Sequence, residues 1–273
     1  CSVRSGSRED WFRVAGQSVT SSEPVMPAAS AGKLYLVQAS GIPAFESVYR
    51  ALSNIVVYNP VPDEIRGFKS EKRYRNLDRT GSTLAEMVHH LRRSDPARLA
   101  RVTEYLHSIN PAILGVDAKA VDAHYSLYFD LDRGNGEPIK FPSQNMSDGT
   151  LRALAILIAL FQNSENYPLS LIGLEEPEAG LHPAAAGVLY DSLLDAGTAR
   201  QIVVTSHSPD LLDREDVPED SLRAVAMHQG RTIIGPVDHA ARFALRQRLY
   251  TAGELMRMNQ LQPDRSHDCS DVH

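Results

Sequence analysis

The stretch from Leu169 to Asp213 constrains the fold most tightly, because its punctuation allows one order of elements. Leu169 to Leu174 is a short apolar run bounded by Pro168 and the pair Glu175–Glu176. Such a run reads as a strand buried on both faces. His182–Pro183 then opens a helix with proline at its first position, where the missing N–H costs nothing. A second apolar run, Gln201 to Thr205, reads as another buried strand and delivers Ser206 and His207. Strand, helix and strand in this order predict an open α/β sheet, whose ligands bind beyond the carboxyl ends of the strands. Glu175, Glu176 and His207 are therefore expected at one edge.

Around this centre the periodicity predicts further elements. Asp10 to Thr20 alternates about Gly16 as a strand pair, and Leu34 to Gln38 reads as a short strand. Ile42 to Ser53 carries Phe45, Val48, Tyr49 and Leu52 at helical spacing, followed by a strand at Ile55 to Tyr58. Thr83 and Glu86 have the spacing of a capping box, and Asp95–Pro96 starts a second helix with Leu99, Val102, Leu106 and Ile109 facing inward. A hairpin over Ala123 to Phe141 turns at Gly134–Asn135–Gly136, and a second joins Leu222–Met227 to Thr232–Val237. Short helices are expected at Arg242 to Tyr250 and Glu254 to Met258. The nearly all-apolar Leu151 to Phe161 predicts a central buried helix. We divide the chain into a β-rich remnant of an N-terminal lobe (1–60), a helical lobe with hairpin (61–145), a core (146–261) and a disordered polar tail (262–273).

Composition narrows the function. With 42% apolar residues, 273 positions suffice for a sizeable core. A formal net charge of −6 gives no global attraction to nucleic acid or anionic membrane. No apolar run reaches the roughly 18 residues a membrane helix needs. Cys1 and Cys269, at opposite ends, argue against a structural disulfide and for a cytoplasmic setting. One local exception to the acidic balance is Arg66, Lys69, Lys72, Arg73 and Arg75, interleaved with Phe68 and Tyr74. Basic residues among aromatics suit a nucleic-acid backbone, and also suit a solvated loop.

The chemistry gathers at the strand ends. A strand closed by two acids fits nucleotide hydrolysis, with Glu175 on the Mg²⁺ side, through water, and Glu176 polarising the attacking water. His207, after the neighbouring strand, is positioned to sense a γ-phosphate. Ser147–Asp148–Gly149 opens the apolar helix with a hydroxyl and exposed N–H groups, which suit an anion and equally suit a simple cap.

These motifs together resemble the ABC-type ATPase heads of the RecF/SMC-like class, in particular the AAA-type ATPases of bacteria. Met146-Ser-Asp-Gly-Thr-Leu-Arg152 resembles the signature motif, and Leu171-Ile-Gly-Leu-Glu-Glu-Pro-Glu178 the Walker B motif. Gly180-Leu-His-Pro183 resembles the D-loop, and Thr205-Ser-His-Ser-Pro-Asp210 the switch-histidine loop. The resemblance implies a P-loop NTPase sheet with helices on both faces, a helical lobe and β-hairpins. It implies ATP and Mg²⁺ as cofactors, bound between two copies in a homodimer. Ser147, Asp148 and Gly149 would act on the partner's nucleotide and Glu175, Glu176 and His207 on the chain's own; Gly180 and His182 are also implied to bind nucleotide. Coupling to DNA repair or to anti-phage defence, with a co-encoded effector, follows by analogy only. The alternative is a non-hydrolysing module that dimerises through the signature face.

One expected part is missing. No G-x-x-x-x-G-K-[ST] phosphate loop occurs in the sequence. The nearest match, Pro27 to Leu34, lacks the first glycine and the metal-binding hydroxyl. With a chain that opens on Cys1, the expectation is a preceding strand, loop and helix; the other reading is a protein that borrows the loop from a second chain. A clear Q-loop is also lacking, with Gln38 and Asn59 as weak candidates. Either way these 273 residues alone are expected not to hydrolyse ATP appreciably.

Overall fold

The computed structural model describes residues 2–5, 8–30, 32–67, 76–121, 124–134, 137–162 and 168–264. In chain order these form β1 (Ser2–Ser5), β2 (Arg8–Ala15), β3 (Ser18–Ser21), α1 (Tyr35–Gln38), α2 (Pro43–Ser53), β4 (Ile55–Tyr58) and α3 (Pro62–Arg66). Next come α4 (Leu84–Ser94), α5 (Pro96–Ile109), β5 (Ile113–Val121), β6 (His124–Leu131), β7 (Ile139–Pro142) and α6 (Asp148–Phe161). The chain continues with β8 (Leu171–Glu175), α7 (Pro183–Gly197), β9 (Gln201–Thr205) and α8 (Pro209–Leu212). It closes with β10 (Ala224–His228), β11 (Arg231–Gly235), α9 (His239–Arg246) and α10 (Ala252–Arg257).

The architecture is mixed α/β around a parallel sheet of order β4-β8-β9. Its register sets Tyr58 beside Leu174, and Leu174 beside Val204. Side chains alternate across a strand. Val56, Tyr58, Ile172, Leu174, Ile202 and Val204 therefore share the inner face, on the main hydrophobic core. Helix α6 supplies the centre of that core. Every residue from Gly149 to Phe161 except Arg152 is buried. Burial of each large side chain here contributes about 1.5–3 kcal/mol, which explains why a helix apolar all round is stable only at this place. The opposite face of the sheet is open, with Val57 38% and Val203 46% exposed. The expectation of strands buried on both faces is therefore corrected: the sheet is covered on its inner face only, and β9 is exposed at Gln201, Val203 and Thr205. On the outer one, Gly173 is shielded by the Val57 side chain, whose Cγ2 would lie 2.9 Å from any added Cβ.

Helices α4 and α5 pack against the antiparallel sheet β5-β6-β7 and against α6. Strand β5 is absent from the sequence reading, because Gly115 and the Asp117–Ala118–Lys119 run dilute its alternation. Only pairing with β6 along its length makes it a strand. A second cluster, Phe12, Tyr35, Leu36, Ala39 and Phe45, joins β1-β2-β3 to α1 and α2. Here the expected strand at Leu34 to Gln38 is corrected to a single helical turn. Tyr35 and Leu36 are adjacent and both buried, which a strand with alternating sides cannot arrange. The Tyr35 hydroxyl also donates to the Pro27 carbonyl at 2.6 Å.

The capping box at Thr83 is likewise corrected. Thr83 makes no side-chain cap bond; its hydroxyl instead donates to Asp78 Oδ1 at 3.1 Å and accepts from the Asp78 N–H at 3.0 Å. Asp95 does cap α5, accepting from the Arg98 N–H at 3.0 Å. In the polar tail, Gln262 to Asp264 are held by the Val237–Pro263 bridge and an Asp264–Arg242 ion pair at 3.1 Å, and 265–273 lie outside the described residues. Among the described residues no helix is long and apolar enough to cross a membrane.

Candidate functional site

Strand β8 ends at Glu175, and the chain turns at once. Glu176 has φ +42°, in the left-handed region that non-glycine residues rarely enter. Such a conformation costs about 1–3 kcal/mol and persists only where neighbours impose it. The neighbours are visible. The Glu176 N–H donates to the Thr205 carbonyl at 2.9 Å, fastening the turn to β9. Its carbonyl accepts from Ala179 N–H at 3.0 Å and from Arg152 Nη2 at 3.3 Å. Arg152 Nη1 donates at 2.8 Å to the Pro60 carbonyl, so one guanidinium on α6 ties the turn after β4 to the turn after β8.

Both acidic side chains are exposed at the sheet edge. Glu175 stands on the open face, since it follows Leu171 and Gly173 in the alternation. Asn59, directly after β4, donates through Nδ2 to Glu175 Oε2 at 3.0 Å. Of the two Q-loop candidates, Asn59 reaches the acids, whereas Gln38 bonds the Ser30 loop in the N-terminal unit. His207 follows β9 by two residues and is exposed. Its neighbour Ser206 donates to Glu178 Oε1 at 2.5 Å.

The second group of residues meets the first through the D-loop-like turn. Ser147 caps α6, accepting from the Thr150 N–H at 3.3 Å and sharing a proton with Thr150 Oγ1 at 2.8 Å. Gly149, in the first turn, packs backbone to backbone on Gly180. A Cβ at Gly149 would come 2.2 Å from the Gly180 carbonyl oxygen, and Gly180 itself has φ +78°. Both positions therefore require glycine. His182 caps α7, with Nδ1 accepting from the Ala184 N–H at 3.3 Å.

One of the basic residues has partners within the chain. Arg66 is bonded within the chain, through Nη2 to the Met146 carbonyl at 2.8 Å and Asp148 Oδ1 at 2.5 Å, and through Nη1 to Asp63 at 3.2 Å. A guanidinium so engaged braces the loop before α6. Lys69, Lys72, Arg73 and Arg75 lie outside the described residues.

Behind His207, helix α8 is anchored by Asp213, which accepts from Thr251 Oγ1 and from Arg257 Nη1, both at 2.7 Å. These two bonds, in that order, hold its carboxyl below the usual carboxylate range. Gly253 makes the approach of α10 possible, since a Cβ there would fall 2.5 Å from the Pro209 carbonyl oxygen. Arg152, Glu178, Ser206 and the Asp213 anchor carry no motif of their own in the sequence reading. Arg152, Glu178 and Ser206 do sit inside the quoted motifs, and that position is the signal that points to them.

The fold and this edge define an α/β protein of ATPase-like architecture. Residues 31–213 match the family described as "AAA domain, putative AbiEii toxin, Type IV TA system", and the chain belongs to that family. No curated protein matches it in sequence. Among solved structures it is similar to a Smc head domain with a coiled coil and joint derived from Pyrococcus yayanosii, at 14% identity and a TM-score of 0.40. That alignment covers 56% of this chain and 29% of the other, so this chain spans under a third of its length. An SMC head domain from Thermotoga maritima aligns at 13% identity and a TM-score of 0.39, over 68% of this chain and 54% of that one. A structure described for ATP-driven dimerization and DNA-stimulated activation of SMC ATPases aligns at 12% identity and a TM-score of 0.42, over 59% and 94%.

Proposed function

We propose that this chain is the acid-and-switch half of a nucleotide-hydrolysing head that works as an ATP-bridged homodimer. The observation that carries the reading is the strained Glu176 turn at the carboxyl edge of a parallel sheet, set beside Glu175 and two residues' reach from β9 and His207. Left-handed backbone at a non-glycine residue is costly, and here it falls on an acid at the carboxyl edge of the sheet, where strain of this kind supports a functional reading.

The site fits Mg²⁺ in its donor chemistry. Magnesium takes hard oxygens, usually one or two carboxylates together with phosphate and water. Glu175 supplies an exposed carboxylate oriented by Asn59. Among the described residues no group of three or more His, Cys, Asp or Glu could enclose a metal by itself. When bound, the ion would neutralise developing charge on the phosphates. Glu176 then accepts a proton from the attacking water, from a backbone fixed at the sheet edge. His207 donates to the terminal phosphate. Ser147, at the positive end of α6, offers its hydroxyl and the exposed helix N–H groups to the phosphate of a second copy.

The seat for the chain's own phosphates is not among these residues, since the sequence has no G-x-x-x-x-G-K-[ST]. Its backbone donors and lysine hold the β- and γ-phosphates. We therefore expect no appreciable Mg·ATP turnover by the 273 residues alone. In a polypeptide that joins such a segment to this chain, Mg·ATP should produce turnover and a dimer. There Glu176→Gln should keep the dimer and reduce turnover at least about 100-fold. Turnover that survives Glu176→Gln removes the proposed base.

The non-hydrolysing alternative keeps the dimer and omits the chemistry, and it is the result if that joined polypeptide dimerises without turnover. A setting in the cytoplasm, a co-encoded effector and contact with DNA belong to this proposal only. Charge reversal at Arg73 and Arg75 is the test for DNA, and it should weaken binding and flatten its salt dependence.

A further inference from the structure

We propose that Glu178 is a positioning residue, a latch that holds the His207 loop against the acidic turn through the hydroxyl of Ser206. The value of a fixed His207 rests on the reading above, but the latch itself is a property of the free protein.

Four observations carry it. Among the described residues the His207 ring makes no hydrogen bond and is exposed, so its place depends on its neighbours. Ser206, immediately before it, donates to Glu178 Oε1 at 2.5 Å, the short range of a charge-assisted O–H···O bond. The same Ser206 oxygen accepts from the Ser208 N–H at 3.0 Å, so one hydroxyl grips the chain on both sides of the histidine. Ser208 in turn caps α8, accepting from the Asp210 N–H at 3.3 Å.

The far end of the latch is equally fixed. Glu178 lies two residues after Glu176, and its carbonyl accepts from the Leu181 N–H at 3.0 Å, within the turn that leads to Gly180. Glu178 thereby links three parts that must share one geometry: the acid turn, the turn packed on Gly149, and the histidine loop. Its other oxygen, Oε2, is buried without a hydrogen-bond partner. A buried carboxylate oxygen left bare is unfavourable. An apolar side chain would avoid that cost, so stability alone does not account for a glutamate here. Orientation of Ser206 does.

The test is NMR on the whole 273-residue chain without nucleotide, with the His207 ring signals assigned by their loss in His207→Asn. In the wild type the ring should give one sharp set. Glu178→Ala should split or broaden that set and speed exchange of the Ser208 amide at least about tenfold, the equivalent of one charge-assisted bond. Ser206→Ala should do the same, and Ser206→Thr should restore the wild-type pattern. If Glu178→Ala does not fold, Ser206→Ala carries the test, since it changes a half-buried hydroxyl and little volume. Unchanged His207 and Ser208 signals in Ser206→Ala overturn the latch. So does a uniform loss of protection across all amides, which is the mark of a residue that merely stabilises the fold. Because no nucleotide is present, a failed ATPase reading leaves this result standing, and a failed latch leaves that reading open.

Discussion

At the scale of single residues, two backbone positions near the acids have opposite requirements. Gly149 has no room, because its ideal Cβ lies 2.2 Å from the Gly180 carbonyl oxygen. Gly149→Ala should force the α6 N-terminus off the turn and destabilise by about 1–3 kcal/mol, typical of overpacking. Urea denaturation should show this as a lower midpoint with an unchanged slope; an unchanged midpoint refutes the contact. Glu176 is the reverse case, a large residue where glycine would be relaxed, at φ +42°. Glu176→Gly should stabilise the fold or leave it unchanged, with a gain of up to about 1 kcal/mol, while removing the proposed base. A clear loss of stability would show that the Glu176 side chain, rather than its strain, dominates there.

Between elements, the informative interactions join segments far apart in sequence. Gln162, just past α6, is 1% exposed and its side chain serves three partners. It accepts from the Leu77 N–H at 2.7 Å, donates to the Tyr58 hydroxyl at 2.7 Å, and donates to the Ala159 carbonyl at 3.3 Å. Burial pushes the Tyr58 hydroxyl up to about 12, so it stays a neutral donor and acceptor at any physiological pH. Gln162→Ala strands two buried partners and should cost about 2–4 kcal/mol, measured by thermal or urea unfolding. A loss below about 1 kcal/mol would mean water replaces the amide.

The Asp213 anchor of α10 predicts a pH effect. Its native carboxyl titrates below the ordinary value of about 3.9. The anchor's contribution is therefore complete above that pH and is lost as pH falls through the depressed native value. Hydrogen exchange of α10 should rise below about pH 4 in the wild type. In Asp213→Asn it should already be raised at neutral pH, with a flatter acid dependence. Parallel curves for the two proteins count against the anchor.

For the whole molecule, the acids stand at the edge of a sheet that is packed on one face and open on the other. Helices α6 and α7 and the core lie on the inner face, while Glu175 stands on the open one. Val57 and Val203 flank Gly173 on that open face, in register across the three strands. Parallel sheets are ordinarily covered on both sides. Titration of these 273 residues with Mg·ATP should accordingly show no saturable binding tighter than about 1 mM, for want of the loop's donors. Micromolar binding would require a phosphate seat elsewhere in the chain.

Local patterns in the sequence suffice for the elements whose signals need no partner. The parallel pair β8 and β9, the proline-led α7, the Asp95 cap and the all-apolar α6 are legible because periodicity, capping and burial are encoded within a dozen residues. That two acids end one strand and a histidine follows the next is legible for the same reason. Other features depend on what lies across the core. The turn at Tyr35 is helical because Phe12 and Phe45 bury two adjacent residues, and Thr83 stays at the cap position of α4 while its hydroxyl bonds Asp78 instead. Asn59 reaching Glu175 spans 116 positions, and Ser206 reaching Glu178 spans 28. Sequence alone determined which chemical groups this protein brings to the edge of its sheet. Only the tertiary structure decided how they are held, because hydrogen bonds between distant turns exist only once the core has set the distance between them.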